Sequence, residues 1–336
     1  MLLKKLCDAF GVSGAEGEIR DIIIPEIKDY CDDITVDTIG NIIAFKKGED
    51  SSKKIMLAAH MDEIGFIISG ITDKGYLEFK TVGGIDNRVI ISKTVVVGKN
   101  KIPGVIGMKA IHLQSKAERD EVPKTKSLYI DIGAKDKEDA LKYVSLGDYA
   151  TFDTKYEEIG SEKIKAKALD DRVGCYILTK LIKEPVKYDT YFCFTVQEEV
   201  GLRGAKVAAY RIKPDIALVI ETTTCADVHK TPPEAEVTRL GDGVTISIMD
   251  RRTIVDRKYI SFLEKISGDI KIQYKKTING GNDAGAIHQT GAGVLTASLS
   301  VPCRYLHSPV GVASQKDIES TEKLAKTFLL RIDEVL

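Results

Sequence analysis

TYFCFTVQEEVG, residues 190–201, begins as a largely apolar β-type run and ends in two adjacent carboxylates, Glu198 and Glu199. A short run without polar alternation fits a strand covered on both faces, as in α/β proteins. Two acidic side chains at its end are costly without a compensating cation. The same form recurs on either side. KIMLAAHMD (54–62) is apolar until His60 and Asp62, and DIALVIE (215–221) until Glu221. ALDDR (168–172) opens a helix, and RYLHSP (304–309) follows a strand. Ligands of open α/β sheets bind outside the carboxyl ends of the strands. These five segments therefore aim imidazoles and carboxylates at one edge, a mixed nitrogen and oxygen donor set suited to zinc, cobalt or manganese.

Outward from these strands, helix-like and strand-like segments alternate through residues 1–66 and again through 166–336. This predicts a mixed, mostly parallel sheet flanked by helices. Residues 67–165 differ. Short β-rich runs such as IGFIISGI, TVVVG and SLYIDIG are separated by Gly and polar turns, with one modest helical stretch near KDKEDALKYV. Such spacing predicts a small inserted β barrel or sandwich. The expected organisation is a discontinuous α/β unit, 1–66 and 166–336, split by a β-rich insertion at 67–165.

Composition narrows the function classes. The chain has 336 residues, with 49 Lys and Arg against 50 Asp and Glu. A net charge of -1 gives no electrostatic pull toward nucleic acid or an anionic membrane, so neither partner is expected. The amino terminus lacks the apolar core of a signal peptide, and no apolar run is long enough to span a membrane. The six cysteines form no C-x-x-C pair, and several lie in apolar runs; buried thiols in a reducing cytoplasm are expected.

Each motif alone has an ordinary explanation. A single His at a strand end is commonly a hydrogen-bonded structural residue, the assignment kept here for His112, His229 and His288. An Asp-Asp-Arg run is commonly a helix N-cap with an ion pair. In combination and in order, however, H-x-D at 60–62, ALDDR at 168–172, QEEVG at 197–201, IE at 220–221, GGNDAG at 280–285 and RYLHSP at 304–309 resemble the tetrahedral aminopeptidases of metallopeptidase family 42. That family includes glutamyl and deblocking aminopeptidases, and some members were once named endoglucanases. The resemblance runs over essentially the whole chain.

It implies a zinc-exopeptidase-like fold and two divalent metal ions per subunit, Zn2+ or Co2+ with Mn2+ an alternative. His60 and Glu221 would bind one ion, Glu199 and His307 the other, with Asp170 between them. Asp62 would accept the second ring N–H of His60 and fix its tautomer. Glu198 would act as general base on a metal-activated water. Gly280, Gly281 and Asn282 would form a backbone surface close to the substrate. The substrates implied are short peptides with a free N-terminus, and the implied assembly is a tetrahedral dodecamer of dimers joined through the insertion. Many relatives carry Asp where this chain has Glu221, which leaves the denticity at that metal open. In related enzymes the peptide between the two aspartates is often cis.

Two rival functions come from other classes. A glycosidase needs two carboxylates across a sugar cleft and has no use for the two imidazoles; the chain also contains no Trp for a sugar platform. A catalytically silent scaffold is expected to have lost a ligand or the base, whereas all six key positions carry competent side chains.

Overall fold

The structure is a computed structural model describing residues 1–336. An eleven-stranded mixed sheet forms the larger part. Four parallel strands lie at its centre, in the order Tyr188–Thr195, Asp50–His60, Ile216–Cys225 and Leu295–Arg304. Antiparallel neighbours extend it on both sides: Ile42–Lys46 and Asp33–Val36 beyond the first strand, Gly311–Ser314, Lys163–Ala166 and Glu157–Ile159 beyond the last.

Three of the central strands lack polar alternation in their buried runs because both faces are covered, whereas in Leu295–Arg304 the alternating Thr296, Ser298 and Ser300 are buried as well. Ile55, Leu57 and Ala59 join one core with the helix Leu169–Leu181, while Met56 and Ala58 join a second core with Ala205, Ala208 and Ala209 of the helix Arg203–Ile212. Phe192 and Phe194 divide from Cys193 in the same way, as do Leu218 and Ile220 from Val219. Alternation thus survives as a choice between two apolar layers. All six cysteines are free, and five are buried. No helix is long and apolar enough to cross a membrane.

A closed antiparallel barrel is built from Gly65–Ile71, Leu77–Val82, Leu128–Asp131, Ile102–Met108, Thr94–Val97 and Tyr149–Phe152, in that order around its wall. Phe66 packs edge-on against Phe79 and Phe152 at its centre. Five short helices accompany it, at Asn87–Ile90, Lys116–Asp120 and Lys137–Ala140 and the 3-10 turns Ile111–Leu113 and Thr125–Ser127. Only the stretch around Lys137–Ala140 is visible in the sequence, because helices of one turn carry too few residues for a 3.6-residue period to show.

Candidate metal centre

The motif segments meet at the carboxyl ends of the four parallel strands. His60 is the last residue of Asp50–His60 and pairs in register with Thr195, after which QEEVG turns away from the sheet. Glu221 lies within its strand, which continues four residues further to Cys225 in register with Leu295–Arg304. The apolar run had suggested that the strand stops at Glu221. It continues because the neighbouring strand still offers backbone partners as far as Arg304. Asp170 stands at the start of the helix Leu169–Leu181, with non-helical backbone angles and a cis peptide to Asp171. His307 occupies a loop at φ 54°, two residues after Tyr305 at φ 60°.

Asp170 sits between the two imidazoles. Its Oδ1 is 3.2 Å from His60 Nε2, and its Oδ2 is 3.5 Å from His307 Nε2. Glu221 Oε1 lies 3.4 Å from the same His60 nitrogen, and Glu199 Oε2 lies 3.3 Å from that of His307. The other ring nitrogens face main-chain carbonyls. His60 Nδ1 is 3.0 Å from the Asp62 carbonyl and 3.4 Å from its carboxylate, while His307 Nδ1 is 3.1 Å from the Gly84 carbonyl. A carbonyl can only accept, so each proton is drawn to Nδ1 and Nε2 is turned to the carboxylates.

The electrostatics are those of a crowded anionic site. Burial pushes the Glu199 carboxyl up to about 8 and that of Glu221 up to about 7, and it raises Glu198 as well. Burial works against the charged form of His307, but Glu199 and Asp170 outweigh it and lift the ring to about 9. Burial also opposes ionisation of Asp170, yet the hydrogen bonds to His307 and His60 hold it well below the usual carboxylate range. Burial thus opposes the charged form of Glu198, Glu199 and Glu221 unless a cation offsets it. Donor atoms of His60, Asp170 and Glu199 lie within 4.8 Å of one another, as do those of His60, Asp171 and Glu221. The mixed set of imidazole nitrogens and carboxylate oxygens, largely buried apart from the exposed ring of His307, therefore fits divalent zinc, cobalt or manganese.

A cleft of about 500 Å³ opens beside these groups. His60, Asp170, Glu198, Glu221 and His307 line it, and Gly280, Gly281 and Asn282 form part of the same wall. Every residue singled out from the sequence thus borders the cleft, apart from Asp62 and Glu199, which lie immediately behind it.

A family model described as M42 glutamyl aminopeptidase matches residues 40–324. The chain belongs to this M42 family. A relative from Acetivibrio thermocellus, provisionally named an aminopeptidase, is 46% identical over 327 residues, 96% of each chain. A TET aminopeptidase from the marine sediment archaeon Thaumarchaeota archaeon SCGC AB-539-E09 superposes with a TM-score of 0.96 at 34% identity, covering 99% of this chain and 97% of its own. The Pyrococcus horikoshii TET1 peptidase, which assembles into a tetrahedron or a large octahedral shell, gives a TM-score of 0.88 at 38% identity over 98% of both chains. The family assignment makes this an aminopeptidase-type hydrolase.

Four further residues next to the site have partners that the motifs do not reveal. Asp171 is fully buried and accepts the main-chain N–H groups of His60, at 3.3 Å, and Gly174, at 3.1 Å. Arg172 does not pair with its two aspartate neighbours. Its Nε donates to the Met61 carbonyl at 2.7 Å, its Nη1 to the Leu6 carbonyl at 2.5 Å, and its Nη2 approaches Glu63. Lys167 closes this buried network, 2.7 Å from Glu63 Oε1 and from the Ala9 carbonyl. Glu63 directly follows H-x-D, but a charged residue beside apolar sequence carries no local sign that its cationic partners, Lys167 and Arg172, lie more than a hundred residues away.

Proposed function

We propose that the protein is a co-catalytic two-metal aminopeptidase that removes N-terminal residues from short peptides. The observation that carries this is the placement of Asp170, whose two oxygens each face a different imidazole. His60, Glu221 and one oxygen of Asp170 would hold one ion; His307, Glu199 and the other oxygen would hold the second. Zn2+ or Co2+ is proposed, with Mn2+ also compatible. Such ions supply the Lewis acidity that peptide hydrolysis requires near neutral pH.

The chain's own residues divide the remaining work. Glu198 borders the cleft and is outside the four-carboxylate and imidazole contacts above, which leaves it free to accept a proton from the attacking water and return it to the leaving nitrogen. Asp62 holds His60 from behind through its carbonyl and carboxylate. Gly280, Gly281 and Asn282 present backbone to the substrate in the cleft. Lys275 is the sole Lys or Arg among the cleft's lining residues, and it would favour an acidic N-terminal side chain over a basic one.

We further propose that the large sheet and its helices act as the catalytic unit, with bounds shifted from 1–66 and 166–336 because Gly65 and Phe66 belong to the barrel and Glu157–Ile159 and Lys163–Ala166 to the sheet, and that the insertion, through its barrel, joins dimers of a tetrahedral dodecamer. The comparable assembly of the Pyrococcus horikoshii protein supports this. A cytoplasmic location is proposed from the six free thiols.

The test is a short peptide compared with its N-acetylated twin, each before and after treatment with a chelator. Hydrolysis of the free peptide alone, lost on chelation and regained with Zn2+ or Co2+, is expected. Equal rates for the two peptides would exclude an exopeptidase. Chelator-resistant cleavage of a glucan would favour a two-carboxylate glycosidase.

A further inference from the structure

Three successive backbone N–H groups, those of Gln197, Glu198 and Glu199, point at buried carboxylates. Gln197 N–H donates to Glu16 Oε1 at 3.2 Å, Glu198 N–H to Asp62 Oδ1 at 2.9 Å, and Glu199 N–H to Asp62 Oδ2 at 3.2 Å. Successive N–H groups directed to one side form a concave anion-binding surface. Here the anions are supplied by the protein itself. They come from H-x-D and from a loop at residues 11–16 that lies outside the matched residues 40–324.

That loop is built to hold its acceptors still. Ser13 Oγ donates to Asp62 Oδ2 at 2.6 Å, and Gly14 N–H donates to Glu16 Oε1 at 2.7 Å. Ser13 N–H bonds the Glu63 carbonyl at 3.2 Å, tying the loop to the end of H-x-D. Gly14 has φ 92°, and a Cβ there would come 2.7 Å from Tyr149 Oη of the barrel. Glu16 is 2% exposed and stands at the N-cap of the helix Gly17–Ile27. A carboxylate at that position ordinarily accepts the N–H groups of its own helix. The Glu16 side chain makes no such cap and reaches across to Gln197 instead.

The recipient is strained. Gln197 has φ 55°, in the left-handed region that side-chain-bearing residues avoid. This turn carries the chain out of the strand Tyr188–Thr195 and sets the direction of Glu198 one residue later.

We infer that Glu16 is a positioning residue for Glu198: its carboxylate, braced by Gly14, locks Gln197 in the left-handed conformation that aims Glu198 into the cleft. This rests on the proposed role of Glu198 as general base. Glu16 touches neither the cleft wall nor the metal-facing side chains, so it acts on proton transfer without acting on metal binding.

The test is steady-state kinetics, metal content and thermal stability of Glu16→Ala, Glu16→Gln and Glu198→Gln in the metal-loaded protein. Glu16→Ala is expected to lower kcat on the order of tenfold or more, with KM and metal content at parental values. Glu16→Gln keeps an oxygen acceptor for the Gln197 N–H and should recover most of the loss. Parental kcat in Glu16→Ala overturns the inference, as does a loss of activity accompanied by loss of metal, or equal impairment of the alanine and glutamine variants. If the alanine variant does not fold, Glu16→Asp takes its place with the same outcomes, because it withdraws the carboxylate by one methylene. Glu198→Gln separates the two ideas. Full activity there refutes the base assignment, whereas an inactive Glu198→Gln beside a fully active Glu16→Ala refutes only the positioning role.

Discussion

The carbonyl of Gly84 lies 3.1 Å from Nδ1 of His307, joining residues 223 positions apart. Gly84 follows the barrel strand Leu77–Val82, so the β-rich insertion contributes a main-chain carbonyl that orients an imidazole facing Asp170 and Glu199.

Gly83→Ala should disturb this contact. Gly83 has φ 82°, and an added Cβ would lie 2.7 Å from Ile64 Cγ2 and 3.4 Å from Glu199 Cβ. The left-handed backbone alone costs about 1–2 kcal/mol for a residue with a Cβ. A lower denaturation midpoint and reduced occupancy of the metal nearer His307 are expected. Unchanged values for both would show that the Gly84 loop does not govern His307.

The adjacent glutamates should separate by experiment. Glu198→Gln preserves shape, so metal content should persist while kcat falls roughly 10²–10⁴-fold. Glu199→Gln replaces an anionic donor beside His307 by a weak neutral one. Its metal content should drop, with partial recovery of activity in added cobalt or zinc. Stoichiometry measured beside kcat decides the matter, and the opposite pattern would exchange the two roles.

Substrate preference should follow Lys275. Parental protein is expected to cleave glutamyl better than lysyl chromogenic substrates, and Lys275→Glu to reverse the order. A change in the ratio of kcat/KM on the order of tenfold corresponds to about 1.4 kcal/mol of differential transition-state binding. A ratio unmoved by the substitution would place the selecting group elsewhere in the cleft.

Arg172→Ala tests the buried network independently of catalysis. The substitution would leave Glu63 with Lys167 as its remaining cation and strip the Met61 and Leu6 carbonyls of a donor. Breaking a buried ion pair from one side costs roughly 3–5 kcal/mol. Chemical denaturation should register a loss of that size; a change below about 1 kcal/mol would mean that water replaces the guanidinium.

Light scattering addresses assembly. A mass far above the 36.9 kDa of one chain is expected for metal-replete protein, and deletion of the barrel should reduce it. A monomer at micromolar concentration would contradict the dodecamer.

What the sequence determined by itself is the set of local patterns and their order. Apolar runs at 55–59, 191–196 and 216–220, each followed within two residues by His or a carboxylate, announce buried strands with a polar edge, because burial on both faces disfavours polar residues along the run. The Gly-punctuated stretch from 67 to 165 announces β structure of a different kind for the same local reason. Only the tertiary structure decided which atoms face which. That Asp170 lies between two imidazoles, that Arg172 turns from its neighbours to Met61, and that Glu16 reaches Gln197 across 181 positions all depend on strand order and loop closure. A side chain's type and its neighbours in the chain limit what it can bond. The partner it finds is set by the packing of segments far apart in sequence, which no local period records.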